Sequence, residues 1–389
     1  MLGVRREGNA LVAFYFVYFC AMGAFLPYWG PWLQSQDQSA FAIGLLTAAV
    51  QFSKVIAPNV WGWLLHWQPA RRLIPWGNYL AALSFGLLFF AQQDFWKLLL
   101  VTLGFSFFWA ATLPLVDAVS LAWAQQQGKQ YGRIRLWGSL GFIALAMGMG
   151  VLLGGFGDQV FLPLLLFFFF GTAWLSHYLP LTASPSPPQA VPRPSFLPYL
   201  RQPELLLFLL AGVLEQGSHG VYYAFYSIYV EAHGFGSGMV GILWALAVLA
   251  EVIFFWFGDQ WVQRWGTMRL FVISFFLTSV RWAVIAWWPS FFWIIVVQVL
   301  HAASYAAFHL AAVHWVFARF PEALRSRGMA LYASLVYGLG GGLGALGAGY
   351  AWSHWGGQGA FGAAAAMALV ALVLLLGMKH YSRPLEKTA

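Results

Sequence analysis

Residues 181–198 read LTASPSPPQAVPRPSFLP, and this stretch rich in proline and serine divides the chain. Such a composition is typical of an extended linker, because it disfavours regular hydrogen-bonded structure. Six long apolar runs precede it, near 10–33, 40–65, 72–91, 95–123, 135–155 and 159–180. Six more follow it, near 204–231, 237–258, 268–288, 291–318, 327–350 and 358–379. We predict an N-terminal bundle over 1–180, a linker over 181–200 and a C-terminal bundle over 201–389.

The composition requires a surface that faces lipid. Of the 389 residues 61% are hydrophobic and only 8% are charged, whereas soluble domains carry roughly 25% charged residues. A membrane-spanning helix takes roughly 20 apolar residues, and continuous runs of that length exclude the alternating pattern of a membrane β-barrel. The first run is too long for a signal-peptide core. The sequence therefore predicts an all-α integral membrane protein with about twelve transmembrane helices.

The basic residues indicate an orientation in the membrane. With the N-terminus inside, 17 of the 20 lysines and arginines fall in cytoplasmic segments. Lys97 falls on the opposite side, and Lys54 and Arg281 lie inside spans. Because positive charge is retained in the cytoplasm, we expect both termini and the linker to be cytoplasmic, and the protein to be a multi-pass protein of a bacterial inner membrane. The net charge of +8 is spread between spans and does not form a nucleic-acid patch.

The two halves resemble a sequence repeat. With an offset of 197, residues 43–46 align with residues 240–243, both consisting of apolar residues around a glycine. The same offset places Lys54 opposite Glu251 and Arg72 opposite Arg269. Matches between two charges inside spans are uncommon by chance in so apolar a chain. The pattern predicts two pseudo-symmetric six-helix units with a binding site between them.

Five charged residues lie well inside predicted spans: Lys54, Asp117, Glu215, Glu251 and Arg281. Each charge near the bilayer centre costs roughly 2.5–3.5 kcal/mol on insertion scales, so the set costs on the order of 12–18 kcal/mol unless the charges are paired or hydrated. Ion pairs that lock helices together are one explanation. A water-filled cavity between the halves explains the whole set better.

Polar residues recur at helical spacing on two spans. Glu215, His219, Tyr222 and Tyr226 share one face of the seventh span, and Gln298, His301, Tyr305 and His309 form a stripe on the tenth. Such stripes line a wet cavity or bond to neighbouring helices. We interpret them as cavity-lining and assign substrate binding to Lys54, Arg281, His219, Tyr222, Tyr226, Gln298, Tyr305 and His309.

Proton coupling is the chemistry that buried carboxyl groups favour. A carboxyl in a low-dielectric site holds its proton near neutral pH and releases it when a cation approaches. We take Glu251 as the first candidate for the carrier and Arg281 as the cation that discharges it. His301 or His309 could relay the proton or bind the substrate by a hydrogen bond. Asp117 and Glu215 remain alternatives to Glu251 as the carrier.

Several motifs resemble the 3-phenylpropionate permease family of the major facilitator superfamily. They are residues 131–139 (YGRIRLWGS), 113–118 (LPLVDA), 216–220 (QGSHG), 250–252 (AEV), 281–282 (RW), 297–301 (VQVLH) and 309–312 (HLAA). The resemblance implies the major facilitator fold, alternating access, proton symport and an aromatic carboxylic acid as the cargo. It also implies that Arg281, Glu251 and His301 or His309 serve coupling and binding, as analogous residues do in lactose permease.

One loop departs from the superfamily pattern. The loop between the second and third spans usually reads Gly-x-Leu-x-Asp-Arg-x-Gly-Arg, but His66 stands where the acid is expected. The usual charge relay of the gating loop therefore lacks its acid in this chain. The gating residues that we assign are Gly62, Arg71 and Arg72, with Arg264 and Arg269 in the matching loop of the second half.

The sequence thus predicts a proton symporter for a small aromatic acid, with a sugar or nucleoside symporter as the alternative. A membrane enzyme is a third hypothesis, but the chain has neither a nucleophile elbow nor a paired-histidine metal motif. We therefore expect no catalytic residues, no metal and no cofactor. The expected partners are the small-molecule substrate, protons and the lipid bilayer, with the protein acting as a monomer.

Overall fold

Long helices form nearly all of residues 2–180 and 195–378, which this computed structural model describes, and those residues contain no strand. The first half consists of α1 (Leu2–Ser35), α2 (Ala40–Leu64), α3 (Ala70–Phe90, the last turn a 3₁₀ helix), α4 (Phe95–Gln126), α5 (Tyr131–Phe156) and α6 (Asp158–Tyr178). Each is long and apolar enough to cross a membrane.

In the second half, two helical runs are too long for a single crossing. Ser237–Trp287 has 51 residues and Glu322–Met378 has 57, which at roughly 1.5 Å per residue is more than twice the hydrocarbon thickness of about 30 Å. Each run turns at a glycine with positive φ, Gly266 (72°) or Gly356 (66°). Side chains disfavour that conformation, and glycine adopts it freely.

Counting each side of these turns separately converts the ten long runs of the described chain into twelve spans. The second half therefore consists of α7 (Pro203–Ala232), α8 (237–265), α9 (267–287), α10 (Phe291–Arg319), α11 (322–355) and α12 (357–378). The prediction of an all-helical fold with about twelve transmembrane helices is confirmed.

Several helices extend beyond the predicted spans. Helix α1 begins at Leu2, α5 at Tyr131 and α11 at Glu322, and α8 continues to 265. The apolar pattern marks where a helix contacts lipid, whereas its backbone hydrogen bonds continue into the polar region. Most of the predicted linker, 181–194, lies outside the described residues; a one-turn helix, Leu197–Leu200, precedes α7.

The helix starts follow the offset found in the sequence. Helix α2 begins at Ala40 and α8 at Ser237, which is 197 residues later, and α3 and α9 begin at 70 and 267 with the same separation. The internal repeat in sequence therefore corresponds to a repeat of helices. The architecture is two pseudo-symmetric six-helix bundles.

The bundles pack against each other at one end of the molecule, which we call the closed end. Helix α1 lies beside α7, α2 beside α11, and α5 beside α8. Glycines allow the close approach: a Cβ at Gly30 of α1 would lie 2.3 Å from the Ala224 carbonyl oxygen of α7, and one at Gly44 of α2 would lie 2.7 Å from the Ala345 carbonyl oxygen of α11.

Tyr28 joins the bundles at the closed end. Its hydroxyl lies 2.8 Å from the Ala146 carbonyl oxygen of α5 and 3.0 Å from the Ser237 carbonyl oxygen at the start of α8. The Ser237 hydroxyl in turn donates to the Gly150 carbonyl oxygen at 2.9 Å. These bonds hold α5 and α8 together at the ends that carry residues 150 and 237.

Candidate functional site

Arg281 on α9 is the centre of a buried polar network in the second half. Its side chain is 0% exposed. Nη1 donates to His301 Nδ1 (2.8 Å) and to Ser304 Oγ (3.1 Å), and Nη2 donates to Gln298 Oε1 (3.1 Å). An arginine is always charged and donates only, so these three neutral acceptors on α10 stabilise a full positive charge inside the protein.

Aromatic faces surround the same guanidinium group. Its carbon lies 4.5 Å from the ring centres of both Tyr222 on α7 and Trp282 on α9, a cation–π geometry. The Tyr222 hydroxyl also donates to Gln298 Oε1 at 3.2 Å, and Trp244 of α8 packs against the Tyr222 ring with centres 4.6 Å apart. The site thus combines one cation with a wall of aromatic rings.

Glu251 is linked to Arg281 through His301. The Nε2 atom of His301 lies 2.6 Å from Glu251 Oε1, and the Glu251 side chain is 17% exposed. Because Arg281 can only donate, His301 Nδ1 must accept, and a neutral imidazole then carries its hydrogen on Nε2. The geometry therefore fixes one tautomer, in which His301 donates to Glu251. We call these three residues the relay.

Local irregularity of α10 positions the relay. Residues Ala302–Ala307 form a π-helical turn directly after His301, and such turns are frequent at functional sites. The rings of His301 and Tyr305 stack with centres 5.5 Å apart, and Tyr305 stacks on His309 at 6.4 Å. His309 Nδ1 lies 2.9 Å from the Tyr337 hydroxyl of α11. This row of rings leads away from the closed end.

The predicted residues of α7 lie next to the relay. The helix is interrupted at His219, between Pro203–Ser218 and Gly220–Ala232, and the His219 ring centre lies 6.3 Å from that of His301. Glu215 Oε1 accepts from Thr278 Oγ1 at 2.5 Å. Tyr226 stacks on Tyr222 with ring centres 4.8 Å apart.

Several polar atoms around the relay have no hydrogen-bond partner in the part of the chain that the structure describes. They are Glu215 Oε2, His219 Nε2, Tyr226 Oη, Arg281 Nε and Gln298 Nε2. Buried polar groups are nearly always satisfied by protein or by water, so such a concentration is unusual. These atoms offer both donors and acceptors to a polar ligand.

The predicted residues of the first half, Lys54 and Asp117, are not joined to the relay. Lys54 is exposed but lies about 160–180° around α2 from Ile56 and Trp63, at roughly 100° per residue. Those two apolar side chains are 59% and 58% exposed and mark the lipid face. Lys54 therefore points away from that lipid face, and no hydrogen bond or ion pair in the described residues involves its ammonium group.

Asp117 belongs to a separate polar cluster of the first half. It accepts hydrogen bonds from Tyr15 of α1 (2.6 Å) and Tyr131 of α5 (2.8 Å), and Arg135 Nε lies 3.9 Å away. The Asp117 and Arg135 side chains are 34% and 31% exposed. They lie at the end of the bundle away from Gly150, opposite the closed end, and are partly exposed there.

The gating residues that we predicted lie in or near the loops α2–α3 and α8–α9. Arg71, Arg72, Arg264 and Arg269 are all exposed. A Cβ at Gly62 would have no neighbour within 4 Å. In the described residues no ion pair joins these arginines to a carboxylate.

Sequence reasoning missed Ser304, Tyr15 and Arg135 as members of these clusters. The predicted fifth span begins at 135 and leaves Arg135 among the cytoplasmic basic residues, whereas α5 begins one turn earlier. The spacing Tyr131-x-x-x-Arg135 at a helix start, opposite an unexplained acid on α4, was an available signal. No comparable sequence signal marked Ser304, since its role depends on the π-helical turn.

The comparisons with known proteins agree with this architecture. Residues 9–363 match the model of the MFS_1-like family. The chain belongs to this family of MFS transporters. A relative from Escherichia coli (strain K12), named "Probable 3-phenylpropionic acid transporter", is 34% identical over 331 residues, which cover 81% of this chain and 84% of the relative. The maltose permease of Geobacillus stearothermophilus is 27% identical over 347 residues, 87% of this chain and 86% of that protein.

Solved structures share the fold. The nucleoside transporter NupG superposes with a TM-score of 0.81 at 19% identity, over 97% of this chain and all of that one. The predicted resemblance to the 3-phenylpropionate permease family and the predicted fold class are thereby confirmed. This MFS transporter is a multi-pass membrane protein.

Proposed function

We propose that this transporter is a proton symporter that imports a small aromatic carboxylic acid, similar to 3-phenylpropionate, by alternating access. The observation that carries the proposal is the relay, in which Glu251, His301 and Arg281 are linked by two hydrogen bonds of 2.6 and 2.8 Å. It places a carboxyl group that can bind a proton next to a fixed cation that can bind an anion.

The relay supplies a reason for coupling. When Glu251 is ionised, its charge balances that of Arg281 through the polarised imidazole of His301. A substrate carboxylate bound at Arg281 lies close to the negative charge of Glu251, and like charges repel each other strongly in a low-dielectric interior. Protonation of Glu251 removes this penalty, so one proton and one anion bind best together and leave the interior charge unchanged.

The substrate class follows from the groups around the relay. Lys54 of the opposite bundle points away from the lipid face and has no partner in the described residues, which suits a carboxylate. Tyr222, Tyr226 and Trp244 form a contiguous aromatic surface beside Arg281, which suits a phenyl ring. The E. coli relative named "Probable 3-phenylpropionic acid transporter", which is 34% identical, supports the same class.

A sugar or nucleoside is the second candidate cargo. It is favoured by the unpartnered polar atoms of Gln298, His219 and Tyr226, which would bind hydroxyl groups. The relative named maltose permease points in the same direction. The two candidates differ in whether the ligand must carry a charge.

The test is uptake of labelled 3-phenylpropionate by the purified transporter in liposomes with an inside-alkaline pH gradient. We expect accumulation that requires the gradient and is inhibited by unlabelled 3-phenylpropionate, but not by its neutral amide, maltose or uridine. Equal inhibition by the amide would remove the carboxylate from recognition. Uptake of maltose or uridine alone would favour the second cargo.

Further parts of the proposal concern the setting of the protein. We propose that it acts as a monomer in a bacterial inner membrane with both termini in the cytoplasm, as the basic residues predict. In that orientation the closed end faces the periplasm, and the partly exposed cluster of Asp117 and Arg135 faces the cytoplasm.

A further inference from the structure

A groove on the outer surface of the first bundle carries an inference that is independent of transport. The cavity has a volume of about 560 Å³ and lies between α2, α3 and α4. It falls within the range of roughly 300–1,000 Å³ that small-molecule sites occupy. We call it the α2–α4 groove.

The groove has an apolar floor and apolar walls. Trp61 of α2 is buried on its floor and contacts Phe107 and Phe108 of α4, with ring centres 6.5 and 6.1 Å away. The Trp61 ring packs against Gly77 of α3, where a Cβ would lie 2.8 Å from it. On α3, Leu80 continues the wall. The surface resembles the core of a protein but opens to the outside.

The groove opens toward lipid. Trp76, which lines it, is 66% exposed, and it shares one face of α3 with the exposed residues Leu83 (58%) and Leu87 (53%). On α4, the exposed residue Leu103 (45%) lies one turn before Phe107. The bilayer is therefore what contacts this opening.

A cation marks one end of the groove. Arg72 and Gln68, at the loop between α2 and α3, complete the lining, and Arg72 Nη1 lies 3.5 Å from Gln68 Oε1. The superfamily acid of this loop is replaced by His66, so the described residues provide no carboxylate to pair with Arg71 or Arg72. Both guanidinium groups are exposed, and with no carboxylate partner in the described chain they can bind an anion.

We propose that the α2–α4 groove binds a phospholipid with an anionic headgroup, the phosphate on Arg72 and one acyl chain along Trp61, Trp76 and Leu80. Arg72 and Leu80 are eight residues apart on α3, about 12 Å of depth at roughly 1.5 Å per residue. One leaflet supplies half of a hydrocarbon core of about 30 Å, and the groove extends over most of that half. Charge and shape therefore both match one lipid of the adjacent leaflet.

The test is lipid retention by the purified, delipidated transporter, measured by native mass spectrometry after titration with phosphatidylglycerol or phosphatidylcholine in detergent. We expect one phosphatidylglycerol to be retained in preference to phosphatidylcholine. Each basic residue near a membrane surface contributes about 1 kcal/mol toward anionic lipid, so Arg72→Gln should weaken retention about fivefold. Arg72→Lys should retain most of the preference.

Arg269→Gln is the matched control, because Arg269 is the exposed residue at the equivalent position of the second bundle. This substitution should leave lipid retention unchanged. Leu80→Trp fills the groove and should reduce retention of both lipids, while inorganic phosphate should not compete. Thermal unfolding in detergent alone verifies that each variant is folded. Equal retention of the two lipids by the wild type would overturn the proposal. So would equal effects of Arg72→Gln and Arg269→Gln, unchanged retention in Leu80→Trp, or displacement of the lipid by phosphate.

Discussion

Replacement of Glu251 by glutamine separates proton coupling from substrate binding. The glutamine amide keeps an oxygen that can accept from His301 Nε2, which now lies 2.6 Å from Glu251 Oε1. His301 can thus keep its tautomer and its bond with Arg281. What the variant loses is the group that binds a proton.

The expected magnitude follows from the composition of the relay. It contains one carboxyl group, so we expect one proton for each substrate molecule. Cotransport of one proton with each monoanion is electrically neutral, and a pH difference of one unit corresponds to about 1.36 kcal/mol, a tenfold ratio. A gradient of about 1.5 units therefore supports roughly 30-fold accumulation in the wild type. In Glu251→Gln the ratio should fall to about one.

The assay has two arms in the same liposomes. The first measures accumulation of labelled 3-phenylpropionate driven by the pH gradient. The second measures exchange of labelled for unlabelled substrate at equal pH, which requires substrate binding and alternating access but no net proton movement. We expect the variant to lose the first and retain the second at a rate within about threefold of the wild type, a barrier change below roughly 0.7 kcal/mol.

Asp259→Asn is the matched control. Asp259 is also on α8 and also contacts a histidine of α10, His314 Nε2 at 3.2 Å, but its side chain is 79% exposed. That variant should accumulate substrate normally. Tenfold or greater accumulation by Glu251→Gln would refute the assignment of the carrier. Loss of exchange together with accumulation would show that Glu251 serves binding or folding instead.

Three further substitutions test the geometry. Arg281→Lys leaves a single ammonium nitrogen, whose N–H groups cannot reach all three acceptors on α10. A lost hydrogen bond to a charged group costs about 1.5–3 kcal/mol, so substrate binding measured by calorimetry should be 10- to 150-fold weaker. Tyr28→Phe removes the hydroxyl that joins the bundles, and a loss of about 0.5–1.5 kcal/mol should shift the closed-to-open ratio 2- to 13-fold, measured by spin-label distances across the closed end. Gly220→Ala places a Cβ 2.1 Å from the α11 backbone and should lower the melting temperature, whereas Gly347→Ala, with nothing within 4 Å, should not.

The fold was predictable because lipid imposes a length on every crossing. Apolar runs of about 20 residues identified all twelve spans, and the offset of 197 identified the repeat. The turns at Gly266 and Gly356 separate helices that the structure otherwise continues into each other. Helix ends were less predictable, because the hydrogen bonds of the helix backbone continue beyond the hydrocarbon core of the bilayer.

The structure brings three of the predicted residues together, and their roles stay predictions. Intramembrane charge and helical spacing selected Glu251, Arg281 and His301, but the sequence did not decide which histidine lies between the other two. That arrangement depends on how α8, α9 and α10 pack and on a π-helical turn. Asp117 shows the converse, since its partners come from α1 and α5 and it contacts no member of the relay.

The internal repeat aligns Lys54 with Glu251, and these opposite charges at equivalent positions distinguish the two bundles. If both bundles carried the same ionisable residue at this position, the space between them would contain two like charges. These charges would repel each other and would attract the same solutes. With Lys54 and Glu251, one bundle contributes a positive charge and the other a group that can be negative. In the proposed symport, Lys54 attracts the anion and Glu251 takes up the proton, so one divergent position gives the two nearly symmetrical bundles different roles.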